Sequence, residues 1–148
     1  PDSSHAIIDG CYFATQGLAT EIAIGSESLF KSRIQNCIFT TISGTAILGE
    51  SVAIAQPQMN QILNCVFRSC ANAIDWPMDD GIIDGNTFDN ITTKKIDVNV
   101  GLRNRVGVNF FYNDEADISI ANGYIGNATD TWRNYSKNTA AMTVGTPA

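Results

Sequence analysis

The stretch IQNCIF at 34–39 has near copies along the chain: IDGCYF at 8–13, ILNCVF at 62–67, IDGNTF at 83–88 and VGVNFF at 106–111. Most copies place Gly, Asn or Cys between two large apolar residues. The closing residues, Phe13, Phe39, Phe67, Phe88 and Phe111, follow one another at intervals of 26, 28, 21 and 23 residues. Such gaps are too long for a hairpin meander and match the period of a repeat architecture. A second marker trails each Phe: Ile22, Ile47, Ile74, Ile96 and Ile118 open the short runs IAI, ILG, IDW, IDV and ISI. Every unit therefore carries at least two strands, in the same order.

Units repeated in one sense, rich in Ile, Phe, Thr and Asn and without a long 3.6-residue period, stack their strands in parallel from unit to unit. Within I-x-[GN]-[NC]-x-F the first apolar residue points inward, the chain turns at the small or Asn position, and the Phe points inward again. Asn accepts the left-handed conformation of such a corner, and its amide can bond the copy above or below. One ladder, Cys11, Cys37, Cys65, Asn86 and Asn109, is expected to be part thiol and part amide, with the thiols the poorer rungs. The five Phe rings should form one internal file, each burying about 150–250 Å².

This pattern resembles the right-handed parallel β-helix family, the coil of pectin-degrading enzymes and phage tailspikes, over about residues 5–120. The expected fold is all-β: a right-handed parallel β-helix of five to six rungs across 5–120, followed by an irregular C-terminal cap or tail over 121–148. The winding sense agrees with the chirality of parallel crossovers. In the cap, YIGNAT at 124–129 reads as a worn sixth copy, and Trp132 and Tyr135 would plug the open end. A leucine-rich repeat has a similar fragment and period. However, no Leu precedes the motif at the required spacing, and no helix fits between the strands.

Composition narrows the function. A length of 148 residues with 44% hydrophobic content suits one domain. A net charge of -6 with nine Lys and Arg leaves no basic cluster for phosphates, so nucleic acid is not an expected partner. No segment approaches the roughly 18 apolar residues of a membrane helix, so no membrane insertion is expected. Pro1 follows no basic leader, and the reading expects a soluble piece cut from a longer chain. Three of the four cysteines share one repeated slot, which points to packed, reduced thiols suited to a reducing cytoplasm. The sequons at Asn90, Asn127 and Asn134 read as chance matches in an Asn-, Ser- and Thr-rich chain.

His5 is the only histidine and no CxxC pair occurs, so neither a His-based triad nor a metal site is expected, and no cofactor motif is present. Carboxylates remain. Asp9 and Asp84 share a slot three rungs apart, about 14 Å at ~4.8 Å per rung, which exceeds the roughly 5–9.5 Å of paired glycosidase acids. The outward slot of the trailing strand reads Ala23, Leu48, Asp75, Asp97 and Ser119, putting Asp75 and Asp97 on adjacent rungs. Two carboxylates about 5 Å apart repel, and a proton held on one relieves this, as a general acid requires. Asp75 and Asp97 are thus the candidate catalytic residues. Trp76, stacking on a sugar ring, and Asp79 and Asp80, bonding hydroxyls, are the candidate substrate-binding residues. In the competing reading both acids splay into water and Trp76 packs under its own loop or against another subunit. One slot earlier Lys95 faces Asp117 as a surface pair, while Arg103 and Arg105 lie ahead of the fifth rung with no acid opposite.

The resemblance implies attachment. It suggests the β-helical segment of a phage tailspike or tail fibre, a homotrimer in the virion tail, made in the host bacterial cytoplasm and binding bacterial cell-surface polysaccharide, with depolymerase activity left open. The alternative is a freestanding, secreted carbohydrate-active enzyme of the pectate-lyase-like fold: a polysaccharide lyase, glycoside hydrolase or epimerase. Lyases on this fold generally bring calcium-binding acids and a basic residue, and no Asp ladder with a facing Arg is visible. A passive surface solenoid for spacing or adhesion is the third possibility.

Overall fold

Phe13, Phe39, Phe67, Phe88 and Phe111 stack in one continuous file, neighbouring ring centroids 4.9–5.1 Å apart and planes within 11° of parallel. Residues some two dozen positions apart are therefore vertical neighbours, as the repeat requires. The computed structural model describes residues 5–14, 21–26, 31–49, 59–76, 79–98, 104–112, 117–120, 135–136 and 143–144. Among them there is no helix.

Each turn contributes three strands. The first comprises β1 (Ile7–Asp9), β2 (Tyr12–Ala14) and β3 (Ile22–Ser26), and the second β4 (Arg33–Gln35), β5 (Ile38–Thr40) and β6 (Thr45–Gly49). The third holds β7 (Gln61–Leu63), β8 (Val66–Arg68) and β9 (Asn72–Asp75), and the fourth β10 (Ile82–Asp84), β11 (Thr87–Asp89) and β12 (Lys94–Val98). The fifth holds β13 (Arg105–Val106), β14 (Phe110–Tyr112) and β15 (Asp117–Ile120). Further on, β16 (Tyr135–Ser136) pairs with β14, and β17 (Thr143–Val144) with β15. First, second and third strands form separate sheets, and all pairing is parallel, making a β-solenoid. Trp132, expected as an end plug, lies outside the described residues, as do Arg103, Asn127 and Asn134.

The coil closed on every side is shorter than the expected five to six rungs. Only about three turns bury an inward residue in all three sheets: Ile34, Phe39 and Ile47; Ile62, Phe67 and Ile74; Ile83, Phe88 and Ile96. In the first turn Ile8 and Phe13 are only half-buried. In the fifth, Val106 and Phe111 close two sides among the described residues.

In each of the second, third and fourth turns three corners use the left-handed region. Gly10, Asn36, Asn64 and Gly85 occupy the corner inside the repeated motif, at φ 53–70°. Thr41, Ser69 and Asn90 form a second, and Lys31, Met59 and Asp80 a third. Gly and Asn take this conformation readily, whereas a β-branched Thr resists it. Thr41 is nevertheless held there, its N–H donating to the Arg68 carbonyl on the next turn at 3.0 Å.

The mixed ladder is present. Asn86 Nδ2 donates to Asn109 Oδ1 (3.0 Å) and to the Ile62 carbonyl (3.0 Å), while Asn86 Oδ1 accepts from the Cys65 N–H (2.9 Å). The thiols do the donor half of this work: Cys37 reaches the Ile8 carbonyl at 3.7 Å and Cys65 the Ile34 carbonyl at 3.8 Å. A second, unexpected ladder lies two residues before each motif. The Ala6 N–H donates to Ser32 Oγ, the Ser32 N–H to Asn60 Oδ1, and the Gly81 N–H to Asn104 Oδ1, at 2.8–3.0 Å. Ser32, Asn60 and Asn104 are buried polar residues with partners, as a dry interior demands.

The third sheet departs from the expected register at its first strand. Ile24, not Ile22, pairs with Ile47, and Ile22 pairs with Thr45. In IAI both isoleucines have the same parity, so alternation does not choose between them. Burial does: Ile24 is 8% exposed and Ile22 48%. Ala23 accordingly leaves the slot of Leu48, and Gly25 takes it.

Candidate functional site

The outer wall of the third sheet carries the predicted acids. Leu48 pairs with Asp75 and Asp75 with Asp97, so the two aspartates are on adjacent turns, as expected. A lysine missing from the sequence reading closes this site. Lys94 Nζ lies 2.6 Å from Asp97 Oδ2 and 3.4 Å from Asp75 Oδ2. Strict strand alternation would put residues 94 and 97 on opposite faces. The third strands break that alternation: Ala46 with Ile47, and Ala73 with Ile74, are buried in consecutive positions, which brings the flanking residues to one wall.

The cluster is graded in exposure. Asp97 is almost fully buried, with a side chain 4% exposed, whereas Asp75 is at 32% and Lys94 at 44%. The Asp97 hydrogen bond holds the Lys94 ammonium above its ordinary range, helped by the charges of Asp97 and Asp75 and opposed by desolvation. An ammonium ion therefore stands beside both carboxylates, where the sequence suggests a proton held on one of them as the relief of their repulsion. Asn72 pairs with Lys94 on one side and Thr45 on the other, and its Nδ2 donates to Thr45 Oγ1 at 3.3 Å. The result is a polar strip of Thr45, Asn72, Lys94 and Asp75, able to exchange hydrogen bonds with a hydroxyl-rich ligand.

Trp76 is not on that wall. Its indole is 1% exposed and packs over Gly49, where any Cβ would collide with the ring. It offers no face to a sugar, and the reason is register: Trp76 follows Asp75 as Gly49 follows Leu48, so both point inward. Asp79 and Asp80 are half-buried in the corner before β10. There the Asp79 carbonyl accepts from the Met59 N–H (2.8 Å), and Asp80 adopts φ 54°.

Other acids pair across turns. Asp9 and Asp84 share a column with Gln35 and Leu63 between them, three turns apart as expected. Asn36 and Gln35 donate to Asp9 and hold its carboxyl below the usual range. Arg105, expected to face no acid, has Nη2 2.6 Å from Asp84 Oδ2. Arg68 Nε and Asp89 Oδ2 are 3.2 Å apart across another pair of turns.

The second sheet presents a different outer surface. Tyr12, Ile38, Val66, Thr87 and Phe110 are consecutive in register, and Tyr12, Ile38 and Phe110 are 67%, 41% and 40% exposed. One wall is thus polar and another largely apolar. Compared with known proteins, the chain matches no family model, no curated protein and no solved structure.

Proposed function

We propose that the chain is the β-helical segment of a phage tailspike or tail fibre, binding bacterial surface polysaccharide from the virion tail. The observation that carries this reading is the strip Thr45, Asn72, Lys94 and Asp75, which sets donors and acceptors side by side on a flat parallel wall. Successive turns repeat at about 4.8 Å. The apolar column of the second sheet supports assembly as a homotrimer, since subunit contacts cover apolar surface that would otherwise face water.

A freestanding carbohydrate-active enzyme is the second reading. Asp75 and Asp97 are one turn apart, about 4.8 Å, near the roughly 5–5.5 Å of a retaining pair. Against catalysis stand the burial of Asp97 and its close ammonium partner.

Capsule and O-antigen preparations, assayed for both binding and loss of viscosity, test the two readings together. The attachment reading expects binding that Asp75→Ala and Asn72→Ala weaken, with viscosity unchanged. Loss of viscosity abolished by Asp75→Asn establishes the enzyme instead. A parent protein that binds no preparation, or variants that bind as well as the parent, removes the wall from consideration. Mass in solution tests the assembly, a trimer being the expected result.

A further inference from the structure

Cys11 and Cys37 occupy one slot on adjacent turns: Asp9 pairs with Gln35 and Tyr12 with Ile38, so the cysteines between them face each other across one strand spacing. Neighbouring strands lie about 4.8 Å apart, and disulfides join Cα atoms roughly 4.4–6.8 Å apart. Disulfide Cβ atoms sit nearer, at about 3.5–4.5 Å, so closure needs a local approach of up to about 1 Å.

The same column contains a second adjacent pair, Cys37 and Cys65, and freedom and access separate the two. Cys65 is fully buried between turns that grip it from both sides, and desolvation pushes its thiol up to about 12. Cys11 is exposed and stands on the first described turn, where, among the described residues, β1 and β2 each pair with one strand. Its thiol donates to the Asp9 carbonyl at 3.5 Å, where Cys37 holds the equivalent Gln35 carbonyl at 3.1 Å. Cys37 is buried, directly beside it in the column.

We propose that Cys11 and Cys37 form a redox staple, closed by a peroxide-class oxidant, that ties the first turn of the solenoid to the second. The Cys11 sulfur attacks one peroxide oxygen and the O–O bond breaks, leaving a sulfenic acid on Cys11 and releasing water. The Cys37 sulfur then attacks the Cys11 sulfur, the S–S bond forms, and the sulfenic oxygen departs as a second water with the Cys37 proton. Two thiols and one hydrogen peroxide give one disulfide and two waters. The staple acts on a turn in which Ile8 and Phe13 are half-buried. It does not depend on the glycan reading.

The test treats the reduced, folded full chain with hydrogen peroxide, blocks the remaining thiols, and maps linkages by peptide mass spectrometry. The expected product is a single intramolecular disulfide between Cys11 and Cys37, absent in Cys11→Ser and retained in Cys65→Ser and Cys70→Ser. Its thermal midpoint rises relative to the reduced chain and returns on reduction. Over-oxidised Cys11 with Cys37 still free, a Cys11-linked dimer of chains, a Cys37–Cys65 linkage, or a midpoint that does not move each overturns the proposal.

Discussion

Asn86 donates from its side-chain amide to that of Asn109 on the next turn, and both residues are fully buried. Asn86→Ala removes that bond and also strips partners from the Cys65 N–H and the Ile62 carbonyl. Each buried polar group left unsatisfied costs about 1–3 kcal/mol. Urea unfolding at neutral pH should show a lowered midpoint for Asn86→Ala. Asn86→Cys, which keeps a donor to the Ile62 carbonyl, should fall between it and the parent. Equal midpoints for the two variants would show that the donor contributes nothing.

The aromatic file predicts a position effect. Phe67→Ala, in the middle of the stack, should cost about 3–5 kcal/mol, as for a fully buried aromatic. Phe13→Ala should cost clearly less, because that ring ends the file and is half-buried. Chemical denaturation of the two variants side by side decides this, and equal losses would mean that the first turn is as tightly packed as the third.

These two features were legible in the sequence because they are periodic. The Phe column and the thiol-amide ladder repeat one residue type or one slot, and stacking then follows from geometry. The ladder of Ser32, Asn60 and Asn104 was equally regular, two residues before each motif, and escaped because the first and fourth positions in the column hold Ala6 and Gly81. The site was only half legible. Asp75 and Asp97 lie on neighbouring turns as read, but Lys94 is not legible beside them, because strict alternation puts residues 94 and 97 on opposite faces and the kink in the third strands leaves no mark in a single sequence. Trp76 went astray for a related reason: its partner in the register is Gly49, whose missing side chain is informative only once the register is known.

Lys94 should matter chiefly through Asp97. Lys94→Met leaves a buried carboxylate without its ammonium, and breaking such a pair costs up to about 3–5 kcal/mol, less here because Lys94 itself is 44% exposed. Lys94→Met with Asp97→Asn should restore much of the loss at neutral pH. A single variant as stable as the parent at pH 7 would show the pair to be idle.

Gly49→Ala should destabilise the fold, since its methyl meets the Trp76 indole. Overpacking of this kind typically costs about 1–3 kcal/mol. Adding Trp76→Leu should relieve it, so that the double variant loses less than the sum of the two single variants. Strict additivity in denaturation midpoints would argue that the collision is absorbed elsewhere.

Burial raises the thiols of Cys37 and Cys70 above their ordinary value of 9.0 and that of Cys65 to about 12. Between about 9 and 12 the unfolded chain therefore holds fewer protons than the folded one. By linkage, stability is full below 9 and declines as pH rises toward 12. Lys94, raised by Asp97, adds to the loss above its ordinary 10.5. Asp9 works on the acid side: its lowered carboxyl contributes stability above 3.8 that is lost as pH falls. Denaturation between pH 7 and 10.5 should show a shallower alkaline decline in Cys65→Ser than in the parent, and parallel declines would exclude the thiol as a cause.

The path from Ile34 to Phe39 is matched in length by those from Ile62 to Phe67 and Ile83 to Phe88, whereas the return from each third strand to the next first strand varies from turn to turn. Unequal lengths fall at the other connection too: Phe13 to Ile24, Phe39 to Ile47 and Phe67 to Ile74 are 11, 8 and 7 residues apart, whereas the motif corner keeps its length. A segment grafted at either variable connection would change what the molecule displays while the stacked rings, thiols and amides inside keep their neighbours, so new surface can be acquired there without redesigning the interior.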